Sequence, residues 1–247
     1  MEATVNVPPA AVAPKPSQGF KQALTGIILV LGTLLAVKSG LDTLDVYRPG
    51  AYATAVASLV AFAYVLREKL SLAKMGWTLP QGVRGWAGAI GVGLIAVLGV
   101  ILYTSFFVAP LLGSMGVGSA ETVEHLENNL SWLEGAPFKL ALALVAVWLT
   151  AAIGEEWLMR GFLQSALESL FGGTRLAIVA AVVVQTSIFG MLHDSQGLYG
   201  MLTTGLVGLY LTVVFLICGR RLVPVIVAHG VVDTIGLVSM YLGVGLG

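Results

Sequence analysis

The chain has 247 residues, 57% of them hydrophobic and only 11% charged, with a mean hydropathy of +0.92. Soluble domains carry about 25% charged residues, so this chain cannot cover a water-facing surface and needs a bilayer as its solvent. Zero net charge argues against a nucleic-acid partner. The single cysteine, Cys218, lies in an apolar stretch; it leaves no disulfide framework or cysteine metal site and reads as a buried, inert thiol.

Residues 1–22 form an Ala/Pro/Val-rich stretch with prolines at 8, 9, 14 and 16. It lacks the basic start, apolar core and small-residue cleavage site of a secretory signal, and is expected to be a disordered cytoplasmic tail. No internal repeat is evident. Residues 23–247 are expected to be one all-α transmembrane domain, a polytopic helix bundle of about seven membrane helices plus an amphipathic surface helix. The apolar segments run Ala23–Val37, Ala51–Leu66, Trp86–Leu112, Leu140–Ile153, Leu176–Leu192, Leu198–Cys218 and Leu222–Leu242. A spanning helix needs about 20 mostly apolar residues. The third, sixth and seventh segments meet that length; the others need flanking residues or burial in a bundle. The 31 glycines suit close helix approach in lipid.

Two stretches are amphipathic. Ala120–Leu133 carries Val123, Leu126, Leu130 and Leu133 at helical spacing among Glu121, Glu124, Glu127 and His125, as a helix on the membrane surface or over a cavity mouth would. Arg160–Phe171 alternates faces similarly and stops at Gly172-Gly173. Lys15, Lys21, Arg67, Lys69, Lys74 and Arg84 flank the first three segments on one side, while the loop between segments three and four is acidic. The positive-inside rule therefore puts the N-terminus and the 67–84 loop in the cytoplasm, with Lys38 and Arg48 as exceptions.

Charges inside apolar segments are costly, about 2.5–3.5 kcal/mol each for Asp, Lys or Arg at a helix centre, and mark functional sites by default. Here they are Glu155, Glu156, Arg160, His229 and Asp233, with His193 ending segment five. Glu156 and Arg160 are i,i+4 partners and neutralise each other. Glu155 points about 100° away and lacks that partner, which makes it the better carboxylate for proton transfer. Gln185, Phe189 and His193 share one helix face, and His229 and Asp233 are again i,i+4. Each group alone has a structural reading, as an ion pair at the membrane edge, an interfacial histidine or a buried His–Asp pair. Together they would have three helices placing polar groups in lipid for nothing.

Geometry narrows the helix boundaries. If segment four ended at Ile153, Glu155 and His193 would sit at opposite ends of neighbouring helices. If it continues from about Phe138 to Phe171 and turns at Gly172-Gly173, Glu155 is about 24 Å before the turn and His193 about 28 Å after it. One long helix in an antiparallel hairpin is therefore expected.

The ordered set E-E-x-x-x-R at Glu155-Glu156…Arg160, F-x-x-x-H at Phe189…His193 and H-x-x-x-D at His229…Asp233 resembles the CAAX protease and bacteriocin-processing (Abi) family, whose best-known branch is the type II CAAX prenyl endopeptidase. The resemblance covers about residues 138–242. It implies an intramembrane glutamic endopeptidase without a metal cofactor, acting on a membrane-embedded or membrane-anchored peptide or protein tail from within a multi-pass cell membrane protein, with a bacterial cytoplasmic membrane favoured. It further implies that Glu155 with His193 activates the water and that His229 and Asp233 form the oxyanion-stabilising region. Glu156, Arg160 and Phe189 would support them. Ionised Asp233 cannot donate a hydrogen bond, so it either stays protonated by burial or, the preferred reading, orients a protonated His229. The rival readings are a zinc site on Glu155, His193, His229 and Asp233, a non-catalytic immunity or scaffold protein, and a proton-coupled transporter.

Overall fold

The computed structural model describes residues 18–44, 46 and 49–244, and among these the structure is helical, with no strand. Eight helices follow in chain order. They are α1 (Gln18–Thr43), α2 (Pro49–Arg67), α3 (Gly82–Ser114), the short α4 (Ala120–Leu130), α5 (Pro137–Leu170), α6 (Arg175–Met191), α7 (Gly197–Ile217) and α8 (Leu222–Tyr241). Six are long and apolar enough to cross a membrane, and α6, at 17 residues, is a shorter apolar helix beside them. The all-α bundle expected from sequence is therefore present, its about seven membrane helices being six long ones and the short α6. The first helix begins at Gln18, so residues 18–22 are helical, not part of a tail; residues 1–17 lie outside the described residues.

The polarity of the bundle is that of a membrane protein. Large apolar side chains cover the outside, among them Ile95 at 71% exposed, Phe106 at 77% and Ile217 at 77%. Glu156, Arg160, Gln164, Gln185 and Thr212 are all fully buried inside. A monomer in water does not expose so much apolar surface, whereas lipid solvates it and forces polar groups to pair inside.

Chain direction alternates, and contacts at the helix ends sort the connections into two groups. Tyr64 donates to the Gln22 carbonyl, Arg220 pairs with Glu168, and the Leu222 amide donates to the Gly76 carbonyl, so residues 18–22, 64–84, 168–175 and 218–222 share one end. At the other end Lys38 lies 3.7 Å from Asp194, Thr122 donates to the Gln196 carbonyl and the Gly135 amide to the Tyr241 carbonyl. Basic residues crowd the first end and the acidic α3–α5 connection occupies the second, the asymmetry read from sequence.

The helix that matters most is α5. It opens with Pro137 at its first turn, where a missing N–H costs nothing. It runs unbroken to Leu170 and is closed by Gly172 and Gly173, both at positive φ (91° and 70°). This is the one long helix the hairpin argument required. Gly154 does not break it. Two stretches, Trp148–Glu155 and Trp157–Leu163, are instead wound as wider π turns. Such turns leave carbonyls less well paired and gather at functional sites. The Gly154 carbonyl is taken up by the Ser58 hydroxyl of α2 at 2.9 Å. From Trp157 to Gln164 every residue is buried, so the Arg160–Phe171 portion is embedded in the bundle for most of its length. After the turn Thr174 caps α6, its hydroxyl accepting from the Ala177 amide. The α6 and α7 backbones nearly touch: a Cβ on Gly190 would lie 2.8 Å from the Met201 carbonyl oxygen. Small residues permit that approach where lipid supplies no hydrophobic drive between helices.

Two further details depart from the sequence reading and a third agrees with it. Cys218 caps α7 and is only partly buried. The amphipathic stretch folds as α4 followed by a 3-10 turn, Ser131–Leu133. It lies over the loop that follows His193, held by the Thr122–Gln196 contact at 2.6 Å, which is the second of the two placements expected for it.

Candidate active site

The polar site is built on one buried carboxylate. Glu156 Oε1 takes a hydrogen bond from Arg160 Nη1 at 3.0 Å and pairs with His229 Nδ1 at 2.8 Å. Both Glu156 and Arg160 have no exposed surface. Each other nitrogen of Arg160 also has a partner: Nη2 donates to the Gly208 carbonyl at 2.9 Å and Nε to Thr212 Oγ1 at 3.3 Å, and its guanidinium carbon lies 4.7 Å from the centre of the Phe189 ring. Thr212 closes the set by accepting from Gln185 Nε2 at 2.6 Å and donating to the Gly208 carbonyl at 2.8 Å. Four helices, α5, α6, α7 and α8, thus meet on one ion pair. Gly208 is required there, because a Cβ would lie 2.7 Å from Phe189 and 3.2 Å from Arg160. A buried ion pair is costly unless its remaining hydrogen-bonding capacity is met; every nitrogen of the guanidinium has a partner, whereas Glu156 Oε2 is buried without a protein partner.

Glu155 differs from its neighbour in every respect. It is 14% exposed, and among the described residues its carboxylate accepts no hydrogen bond. His229 Nε2 lies 4.0 Å from it, beyond hydrogen-bond range. Asp233 Oδ2 approaches the same nitrogen at 3.5 Å. The imidazole of His229 is therefore clamped: Nδ1 faces the buried Glu156, and Nε2 faces the pair Glu155 and Asp233. With ionised Glu156 as acceptor, Nδ1 carries the proton.

This arrangement corrects one expectation. Asp233 was expected to orient His229 from one turn along the same helix. The orienting hydrogen bond comes instead from Glu156 across the helix interface, and Asp233 stands at the other ring nitrogen. The i,i+4 spacing brings Asp233 near His229 but does not decide which nitrogen it meets.

His193 lies just beyond the end of α6. Its Nδ1 bonds the Phe189 carbonyl at 2.9 Å, and its ring packs edge-on to Phe189 with centroids 5.0 Å apart. Phe189 also meets the His229 ring at 6.4 Å, so one aromatic ring spaces the two histidines. His193, His229 and Asp233 line a cavity of about 240 Å³ whose other walls include Val100, Thr203 and Val207. The Thr203 hydroxyl is buried with no protein partner. Glu155 is not among the residues that line this cavity; it meets His229 at 4.0 Å, and among the described residues no nitrogen of His193 lies within 4.0 Å of its carboxylate oxygens. The cavity runs to Gln196, where α4 covers the loop. Among the described residues no three of His, Cys, Asp and Glu are grouped to hold a metal ion.

Sequence reasoning missed Thr212 and Gly208, which complete the coordination of Arg160. A threonine or glycine in an apolar helix is common, and nothing local singles these out. Gln185 was placed on the right face, but its contact with Thr212 needs α7 beside it.

No curated protein and no solved structure matches this chain. One family does, that described as type II CAAX prenyl endopeptidase Rce1-like, over residues 137–235. That stretch runs from the first residue of α5 to Ile235 in α8 and contains all seven candidate site residues. The four helices that meet on Glu156 in this multi-pass membrane protein therefore match the CAAX protease family, the same family that the motifs at Glu155–Arg160, Phe189–His193 and His229–Asp233 resemble.

Proposed function

We propose that this protein is an intramembrane endopeptidase that hydrolyses a peptide bond in a membrane-anchored peptide or protein tail. The observation that carries the reading is the unequal treatment of two adjacent glutamates. Glu156 is sealed in an ion pair and fixes a histidine, while Glu155 is left without a hydrogen-bond donor beside that histidine. Amide hydrolysis needs a base close to the attacking water and a donor aimed at the oxyanion.

In the proposed step Glu155, assisted by His193, takes a proton from water as the water oxygen bonds to the scissile carbonyl carbon. His229, doubly protonated and held by Glu156 at Nδ1, offers Nε2–H to the oxygen that becomes negative. Asp233 balances the imidazolium from 3.5 Å. The C–N bond then breaks, and the leaving amine takes the proton held by Glu155. Low dielectric around the site strengthens each of these interactions. The step uses protein side chains alone, and the zinc reading is an outcome of the test.

The test is cleavage of a panel of membrane-anchored peptide tails, prenylated and unprenylated, by the full chain reconstituted in vesicles, read by mass spectrometry. Cleavage that disappears with Glu155→Gln and His193→Ala and survives chelators is the expected result. Chelator-sensitive cleavage restored by added zinc would replace the proposal with a metalloprotease. Full cleavage by Glu155→Gln would remove its basis.

A further inference from the structure

A second concavity, of about 880 Å³, opens at the basic end of the bundle, far along α5 from the candidate active site. Lys69 and Lys74 from the α2–α3 connection and Arg220 from the α7–α8 turn line it, together with Ser71, Ser165 and Ser169. One carboxylate, Glu168, also faces it and is committed to Arg220 through both oxygens at 2.9 Å. Glu68, next to Lys69, is engaged by Gln22 instead. Three cations against one anion leave two positive charges, those of the lysines, with no ion-pair partner among the described residues.

Two observations separate this cleft from a scatter of surface lysines. Lys69 and Arg220 are the two non-glycine residues at positive φ among the described residues, at 54° and 59°. Lys69 occupies the left-handed position that closes α2, with Leu70 N bonded to Val65 O at 2.9 Å; at the end of α7 Gly219 holds that position (φ 68°), and Arg220 extends the left-handed turn by one residue, its N bonded to Phe215 O at 2.8 Å. Glycine is the low-cost residue at a position such as that of Lys69, and non-glycine residues held at positive φ accumulate at functional sites. Here both strained positions carry a cation, and both cations line the same cleft. Secondly, Ser165 lines the cleft with a hydroxyl that is buried and has no protein partner.

Beneath the cations the lining is apolar, with Leu70, Met75 and Ile178. Beside it stand lipid-facing side chains such as Leu66 and Leu176, 53% and 76% exposed. We infer that this cleft binds the phosphate-bearing headgroup of an anionic phospholipid, the phosphate between Lys69, Lys74 and the serine hydroxyls and the glycerol end against Leu70 and Ile178. The positive-inside rule puts this end at the cytoplasmic leaflet, where anionic lipids concentrate.

The experiment uses the full chain in detergent, titrated with short-chain phosphatidylglycerol, short-chain phosphatidylcholine or inorganic phosphate, with retained ligand read by native mass spectrometry and stability by thermal melting. Phosphatidylglycerol is expected to be retained and to raise the melting temperature, and phosphatidylcholine and free phosphate are not. Lys69→Gln and Lys74→Gln should each weaken retention about fivefold and together about thirtyfold. Lys21→Gln, at the same end but outside the cleft, should leave it unchanged. Lys69→Gly should melt higher than wild type without lipid, because the backbone strain is relieved, and still lose retention. Equal binding of phosphatidylcholine, equally tight binding of phosphate alone, or the same loss with Lys21→Gln would each overturn the inference.

Discussion

The two carboxylates at the centre of the molecule share a backbone and little else. Glu156 belongs to a sealed hub in which Arg160, Thr212, Gln185 and the Gly208 carbonyl satisfy one another with almost no solvent. Asp233 and His193 line a cavity, and Glu155 stands behind its wall, 4.0 Å from His229; on this rim carboxylate and imidazole groups approach one another without closing hydrogen bonds. The hub shows what a membrane interior demands of charge, which is a countercharge and hydrogen bonds, although Glu156 Oε2 and Gln185 Oε1 are buried there without a protein partner. The rim is where that demand is left unmet, and unmet capacity is what a substrate or a water can use. His229 belongs to both, with one ring nitrogen in each.

The sharpest way to break this contrast is Glu156→Ala. It strands Arg160 with no exposed surface, and breaking a buried pair costs about 3–5 kcal/mol. The expected outcome is low yield from membranes and a markedly lower melting temperature in detergent. Combining Glu156→Leu with Arg160→Met should recover most of that stability without recovering cleavage, because His229 loses its anchor. A wild-type melt for Glu156→Ala would mean the hub is not structural.

Glu155→Gln should do the reverse. Removal of a general base lowers rate by about 10²–10⁴-fold, while yield and melting temperature stay near wild type, since no hydrogen bond to the carboxylate is lost. An active Glu155→Gln beside a folded but inert Glu156→Gln would exchange the two roles.

Thr212→Val tests how far the hub extends. It keeps the shape but removes the acceptor used by Gln185 and Arg160, leaving buried donors unpaired at about 1–3 kcal/mol. The melting temperature should fall, with a smaller loss of rate than for Glu155→Gln. The weakest expected effect is Gly173→Ala. Nothing lies within 4 Å of the added Cβ, so only the positive φ opposes it, at about 1–2 kcal/mol. A drop in melting temperature with cleavage retained would show that the turn supports the hairpin without entering the chemistry.

Much of this was legible in the residues. The Glu156–Arg160 pair follows from i,i+4 spacing, and the turn follows from two consecutive glycines. The length of α5 follows from asking how Glu155 and His193 reach one depth. The amphipathic stretch declared itself by its periodicity. Helix boundaries were less legible where polar residues continue a helix, as at residues 18–22, because hydropathy tracks lipid contact and not helicity.

By itself the sequence determined that the protein lives in a bilayer, which end of it is basic, and which few charges are too costly in lipid to be accidental. Those are one-dimensional properties, set by composition, spacing and the price of desolvation. Only the tertiary structure decided that His229 is anchored by Glu156 and not by Asp233, that Thr212 and Gly208 complete the shell around Arg160, and that α5 winds through π turns at the site. It also decided that Lys69 and Arg220, about 150 positions apart, line one cleft. Such pairings depend on which helix faces which and on which atom of a side chain arrives first. A helical repeat fixes the face of a residue on its own helix, and packing alone fixes what stands opposite.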